Sequence, residues 1–357
     1  MRVIIVGGGV MGCASALALA DRGADVVLLE RAVPGAEASS AAAGILGTQV
    51  EAHANAAILP LLTRARADYA IWSEALRART GIDIGYRVTG GLRVATSDGE
   101  AREIARDAEW QRGQGLRVDV VDSRGAHEIE PELGELVAGA HYPDESQVDP
   151  PSLLRALVTA TARRIEGPGR VTTRTGTTVA RLLVEQGRCV GAQLEDGEAR
   201  GDAVILAAGS WSSLLPGVPG DLPKVRPARG QMVLLDERPP RVRSMVFGEG
   251  AYVVPRGDGR VLCGSTLELV GFRREVTAGG IHAILHGALE LVPSLKDAPL
   301  TTTWSSFRPF IGEHAPLMGA SPLPGLFLAT GHHRNGILLA KVTADAVADA
   351  VLGGSPR

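Results

Sequence analysis

The chain opens on a glycine run whose spacing suits a phosphate group. Gly7, Gly9 and Gly12 stand in G-x-G-x-x-G register directly behind the apolar segment Val3-Ile-Ile-Val6. In a strand–turn–helix unit the first glycine permits the tight turn. The second lets backbone approach a pyrophosphate, and the third lets the helix pack on the strand. The helix then points its N-terminal N–H groups at the phosphates. A second apolar segment, Val26 to Leu29, ends in Glu30, a carboxylate placed to accept hydrogen bonds from a ribose. Together these residues predict a dinucleotide site. The second candidate is Arg308, wedged among Phe307, Pro309 and Phe310. A guanidinium in such surroundings needs a partner. On the residues alone, a structural salt bridge answers that need more often than a bound carboxylate does. Tyr252 reads either as a site hydroxyl or as an ordinary strand-face residue.

Other chemistries find less support. His282 and His286 have helical i, i+4 spacing, but His-Ala-Ile-Leu-His lacks the glutamate of a zinc-protease motif. They read as a helix face, and no metal is expected. Cys13, Cys189 and Cys263 lie in apolar stretches with no C-x-x-C. That pattern suits a reducing cytoplasm, with the thiols acting as small hydrophobes. Arg2 and Val10-Met-Gly-Cys13 loosely mimic an export signal. However, three consecutive glycines interrupt the apolar stretch, and cleavage there would destroy the nucleotide fingerprint. No run approaches the ~18 apolar residues of a membrane span.

The elements that must position these residues follow from pattern. An Ala-rich helix runs to Asp21, with Gly23 as its stop, and a loop of small residues spans Ala36–Gly47. Such a loop suits a close approach of backbone to a flat ligand, or is simply flexible. Apolar periodicity predicts helices over Ile58–Arg79, Glu100–Gln111, Asp149–Arg164, Ala278–Leu291 and Gly336–Leu352. Strands are predicted over Tyr86–Thr96 (two, around Gly90-Gly91), Val137–His141, Val179–Val184, Cys189–Leu194, Gln231–Leu235, Ala251–Pro255 and Arg260–Ser265. Two further buried strands run into Gly209 and Gly331. Three apolar strands therefore end in glycine turns, at Gly7, Gly209 and Gly331. In an open α/β sheet such turns gather at one edge around one ligand. The chain's 357 residues suit two domains at ~100–200 residues each. Its net charge of −3 gives no reason to expect nucleic acid or anionic lipid as a partner.

At this point the chain resembles a known family. The glycine fingerprint, Ser39-Ser-Ala-Ala-Ala-Gly44, Ala207-Ala-Gly-Ser-Trp211, Tyr252-Val-Val-Pro-Arg256, Phe307-Arg-Pro309 and Ala329-Thr-Gly-His-His-Arg-Asn-Gly-Ile-Leu-Leu339 are similar to the FAD-dependent amine oxidases of the D-amino-acid oxidase fold, most of all to their glycine oxidase branch. The resemblance implies an α/β fold: a Rossmann-like FAD domain (1–85, 146–220, 313–357) and a discontinuous α+β substrate domain (86–145, 221–312). It implies non-covalent FAD, since no cysteine stands near the C-terminal motif. By resemblance, Gly7, Gly9, Val10, Met11, Gly12, Glu30 and Arg31 would hold the adenosine and phosphates. Ser39, Ser40, Ala43 and Gly44 would lie against the flavin or its phosphates, and Val179 would touch the adenine side. Ala208, Gly209 and Trp211 would line the groove. Gly331, His333, Arg334, Asn335, Gly336 and Ile337 would surround the flavin ring. With Gly336 opening the last helix, the dipole there would favour negative charge on reduced flavin.

The resemblance also implies a reaction. Arg308 would grip a substrate carboxylate, Tyr252 would donate to the same group, and Arg334 would lie near the flavin. A small amine substrate would lose hydride from its Cα to the flavin, giving an imine. Dioxygen would reoxidise the flavin to yield hydrogen peroxide, and water would release a 2-oxo acid and ammonia. His332 and His333 are read as packing or cofactor contacts. The expected activity is glycine or small-amine oxidation feeding thiazole synthesis. A quinone-linked D-amino-acid dehydrogenase, a sarcosine-type oxidase and a flavin subunit without turnover stand as alternatives. Ile45, His333 and Phe307 depart from the branch's usual residues, which leaves the preferred amine open. A homo-oligomer is compatible with all of this.

Overall fold

The computed structural model describes residues 1–50, 57–162, 169–312 and 315–353. Two large sheets organise them. The first has six strands in the order Leu317–Ala320, Leu326–Thr330, Ala203–Leu206, Arg2–Val6, Asp25–Leu29, Arg170–Arg174. All neighbours are parallel except the outermost pair, Leu317–Ala320 against Leu326–Thr330. Both faces are covered, so its central strands are apolar throughout. Strand alternation sorts the side chains. Val3 and Ile5 pack with the helices Val10–Asp21, Leu59–Thr80, Pro150–Ala162 and Ala340–Leu352. Ile4 and Val6 instead face a core shared with the antiparallel strands Val179–Glu185, Arg188–Leu194 and Gly197–Arg200.

The second sheet has eight strands: Leu300–Phe310, Arg226–Asp236, Arg260–Gly264, Tyr252–Pro255, Met245–Phe247, Gly91–Ala95, Ala138–Tyr142 and Asp119–Asp122, in that order. The helix Ala278–Leu291 packs on it through Ile284, Ala288 and Leu291. A small three-stranded sheet joins Ile45–Leu46, Ser146–Gln147 and Arg87–Val88. Among the described residues no helix is long and apolar enough to cross a membrane.

Most anticipated elements appear within two or three residues of their predicted ends. The helix predicted from Glu100 starts at Asp98 because Ser97 and Glu100 form a reciprocal capping box. Three differences have physical causes. The edge strand Leu300–Phe310 was not anticipated, since its Thr- and Ser-rich, half-exposed residues show no apolar alternation. Its Pro309 is tolerated because an edge strand has one unpaired side. The strand Arg170–Arg174 is polar and also lies at an edge. The last helix begins at Ala340, not Gly336; a 3-10 turn over His333–Asn335 and single turns precede it. The flavin-side dipole expected at Gly336 therefore does not belong to a regular helix. The predicted Asp149–Arg164 helix starts at Pro150, and its predicted C-terminal end and the domain boundary at 313 lie outside the described residues.

Candidate active site

The three glycine turns meet one cavity of about 420 Å³ between the two large sheets. At its first-sheet end, Gly12 sits so close beneath Gly7 that a Cβ would lie 1.9 Å from the Gly7 carbonyl. That approach seats the helix on the strand and leaves its first N–H groups facing outward. Ser39 Oγ accepts the Val10 N–H at 2.9 Å. The Glu30 carboxylate accepts the Gly8 N–H at 2.7 Å and the Ala32 N–H at 2.9 Å. Those bonds fix its orientation while leaving further lone pairs for hydroxyl donors. Arg31 stacks over the Trp211 ring, 4.0 Å from its centroid.

Of the residues named from sequence, Gly7, Gly9, Val10, Met11, Glu30, Arg31, Ser39, Ala43, Gly44 and Val179 line this cavity. So do Ala208, Gly209, Trp211, Tyr252, Arg308, His333, Arg334, Asn335, Gly336 and Ile337. Gly12, Ser40 and Gly331 do not line it. Gly12 lies in the first turn of the helix, packed against Gly7, Ser40 Oγ packs on Gly35, and the Ile311 side chain covers Gly331.

The walls fit a long, flat dinucleotide. Residues 38 and 41–44 are all alanine or glycine, and they line one wall. A Cβ on Gly209 would meet no protein atom within 4 Å. His333 Nε2 and Ser306 Oγ, both in residues of the wall, are buried without a hydrogen-bond partner. FAD has the shape and the polar edges to use these features.

At the second-sheet end stands Arg308. Its Nη2 donates to Ser265 Oγ at 2.6 Å and its Nη1 to the Thr266 carbonyl at 3.1 Å. Both partners are neutral. Among the described residues no carboxylate lies within ion-pair distance of it, so the salt-bridge alternative is not what the fold uses. The guanidinium crosses Gly230, where any Cβ would sit 2.1 Å from Nη1. Its support continues outward. Thr266 Oγ1 accepts the Gln231 N–H at 2.9 Å and donates to Glu268 at 2.6 Å. Glu268 also accepts from Gln231 Nε2 at 2.7 Å and from the buried Arg229. Burial works against its charge, yet the bonds from Arg229, Thr266 and Gln231 prevail and draw its carboxyl down to about 2. Tyr252 points its hydroxyl at Met232 Sδ, 3.2 Å away.

The two histidines are neutral at ordinary pH. Burial pushes His332 down to about 3, and its Nε2 lies 3.0 Å from Thr343 Oγ1. Burial, then the charges of Arg334 and Arg308, push His333 down to about 4. Its ring packs on Phe310 with centroids 4.9 Å apart. Beside the wall residues Trp211 and Glu37, Phe272 stacks on Trp211 at 5.0 Å and Arg274 pairs with Glu37 at 2.6 Å. Sequence reading missed Gly230, Met232, Ser265 and the Thr266–Glu268 support. Gly230 had one faint signal, a glycine at the head of an otherwise regular strand pattern.

Comparison with known proteins agrees with this geometry. Residues 2–350 match the family model DAO, described as FAD dependent oxidoreductase. Glycine oxidase of Geobacillus kaustophilus is 37% identical, over 98% of this chain and 92% of its own. The bifunctional protein ThiO/ThiG of Nostoc sp. is 37% identical over 98% of this chain, which spans only 52% of that relative's length. The crystal structure of glycine oxidase from Geobacillus kaustophilus superposes with a TM-score of 0.94 at 36% identity, covering 99% of this chain and 95% of its own. With the glycine turn, the small-residue wall and the arginine end all on one cavity, the chain belongs to the DAO family of FAD-dependent oxidoreductases.

Proposed function

We propose that the protein oxidises glycine, or an amine of similar size, to its imine, with dioxygen reduced to hydrogen peroxide and the imine hydrolysed to a 2-oxo acid and ammonia. Its place is in thiazole synthesis for thiamine, in the reducing cytoplasm that three buried free thiols suit. The six-stranded sheet is the cofactor layer and the eight-stranded sheet the substrate layer. Bound FAD supplies the two-electron acceptor. The protein's residues supply position and charge. The turn from Gly7 to Val10 would hold pyrophosphate, Glu30 the ribose, and the wall of small residues the flat ring. Arg308 would take the substrate carboxylate on the guanidinium edge that Ser265 and Thr266 leave free, with the Tyr252 hydroxyl turning from Met232 to the same group. Neutral His333 adds no competing positive charge beside Arg308. Phe272, Trp211 and Phe307 form an aromatic cluster beside the cavity.

One observation carries the reading: a guanidinium that faces the cavity and, among the described residues, is held only by neutral groups. Such a group is complementary to a carboxylate. The test is an oxygen-electrode panel over glycine, sarcosine, D-alanine and D-proline with purified, FAD-loaded protein, with peroxide measured in parallel. Oxygen uptake with glycine, matched by peroxide, is the expected result. Absence of uptake with every member of the panel overturns the reading.

A further inference from the structure

A second cavity, of about 470 Å³, shares no lining residue with the first. Its wall carries four arginines, Arg87, Arg243, Arg256 and Arg260, against two acids, Asp149 and Asp258. Arg260 takes both acids, pairing with Asp149 at 3.1 Å and with Asp258 at 2.9 Å. Asp149 also accepts the Ser152 N–H at 3.1 Å, so its acceptor capacity is largely spent. The other three guanidiniums have no carboxylate within ion-pair distance among the described residues. Arg87 and Arg243 are exposed at the rim.

Arg256 is the unusual member, only 7% exposed. Its two terminal nitrogens donate to neutral oxygens, Gln147 Oε1 and the Ala43 carbonyl, and its Nε is buried with no partner. A buried cation without an anion is costly. Burial, and then the neighbouring charge of Arg260, pull its pKa down to about 10, against the opposing effect of Asp149 and Asp258. Ala43 lines the first cavity, so this guanidinium stands one hydrogen bond from the cofactor wall.

The surplus is two positive charges, with three guanidiniums that have no carboxylate facing one concave space of small-molecule size. A concave wall with an excess of one sign concentrates counter-ions. Guanidinium forks match the oxygens of a tetrahedral oxyanion, and a dianion offsets more of this surplus than a monocarboxylate does. The net charge of −3 over the whole chain makes a nucleic-acid backbone a poor occupant. We propose that this cavity is a second ligand site, which takes the phosphate group of inorganic phosphate or a small phosphomonoester between Arg87, Arg243 and Arg256.

Calorimetric titration of the FAD-loaded enzyme tests it, because bound FAD occupies the phosphate cradle of the first cavity. Inorganic phosphate, glycerol 3-phosphate and acetate are titrated in turn. The proposal expects saturable one-to-one binding of at least one phosphate probe, and weak or absent binding of acetate. Binding of inorganic phosphate identifies the free ion as a sufficient ligand, whereas binding of glycerol 3-phosphate alone identifies a monoester. The double variant Arg87→Ala/Arg243→Ala changes only exposed side chains, and it should weaken phosphate binding by about tenfold or more, or 1.4 kcal/mol. Arg308→Ala should bind phosphate as the parent does. Three results overturn the proposal: no saturable phosphate binding, binding unchanged in the double variant, or binding lost in Arg308→Ala, which would place the anion in the first cavity.

Discussion

Replacing Gly230 by alanine should disable substrate capture while leaving the fold intact. Gly230 pairs with Ser306 across the two strands that carry it and Arg308. It is not among the glycines with positive φ, so alanine accepts its backbone conformation. The obstacle is the side chain of Arg308. A Cβ at 230 would lie 2.1 Å from Nη1, 2.6 Å from Cζ and 2.7 Å from Nη2. Relieving contacts that far inside the ~3.5–4.0 Å optimum moves the whole guanidinium by about 1 Å or more. That movement breaks register with Ser265 Oγ and the Thr266 carbonyl, and with any carboxylate placed against the remaining edge. Losing one hydrogen bond to a charged group costs about 1.5–3 kcal/mol, or roughly 10- to 150-fold in binding. The loss should appear in KM for glycine more than in kcat, because the carboxylate is gripped alike in ground and transition states. Steady-state oxygen uptake measures it, with flavin absorbance for cofactor content and thermal unfolding as the control. The double variant with Arg308→Ala should be no worse than Arg308→Ala alone, since both act on one group. An unchanged KM with full FAD content would refute the reasoning.

Three further outcomes follow from the same geometry. Tyr252→Phe removes one hydroxyl and should raise KM for glycine roughly fivefold, the effect of a hydrogen bond worth about 1 kcal/mol; steady-state kinetics check it, and an unaltered KM removes Tyr252 from the carboxylate site. Gly336→Val places a branched side chain in the cavity wall, on right-handed helical backbone where a Cβ meets no protein atom closer than 3.8 Å, and should lower the FAD-to-protein ratio after gel filtration while circular dichroism stays native. His332 bears on acid stability. Its folded pKa of about 3 lies below the unfolded value of ~6.5. Between those limits the unfolded chain takes up a proton that the native state refuses, so stability falls as pH drops through that window. In His332→Phe this contribution is gone, and the denaturation-midpoint gap between variant and parent should narrow from pH ~7 to ~4. A constant gap contradicts it.

The parts of this protein that were legible in its sequence are those made by neighbouring residues. The turn from Gly7 to Gly12 and the acid at Glu30 meet within one strand–turn–helix–strand unit, so spacing alone describes them. Arg308 announced a need for a partner through its apolar neighbours, but not which partner. What supports it comes from afar: Thr266, Glu268 and Arg229 meet only when three strands pair, and no local periodicity records that meeting. The strand that carries Arg308 escaped notice because an edge strand rich in Thr and Ser has little to bury on either face. The start of the last helix was misjudged at Gly336, whose dihedrals of −60° and −40° are indeed helical. The continuous bond pattern begins only at Ala340, beyond the turn that shapes the cavity wall.

The central claim is that a carboxylate anchored at Arg308 brings a small amine to the FAD of this cavity. It is tested most directly by adding glycine without oxygen to the FAD-loaded parent and to Arg308→Ala, and following flavin absorbance. The account predicts that the parent bleaches and regains its colour with release of peroxide when air is admitted, whereas the variant needs far more glycine to do the same. A parent that stays yellow under glycine, sarcosine, D-alanine and D-proline alike would contradict it.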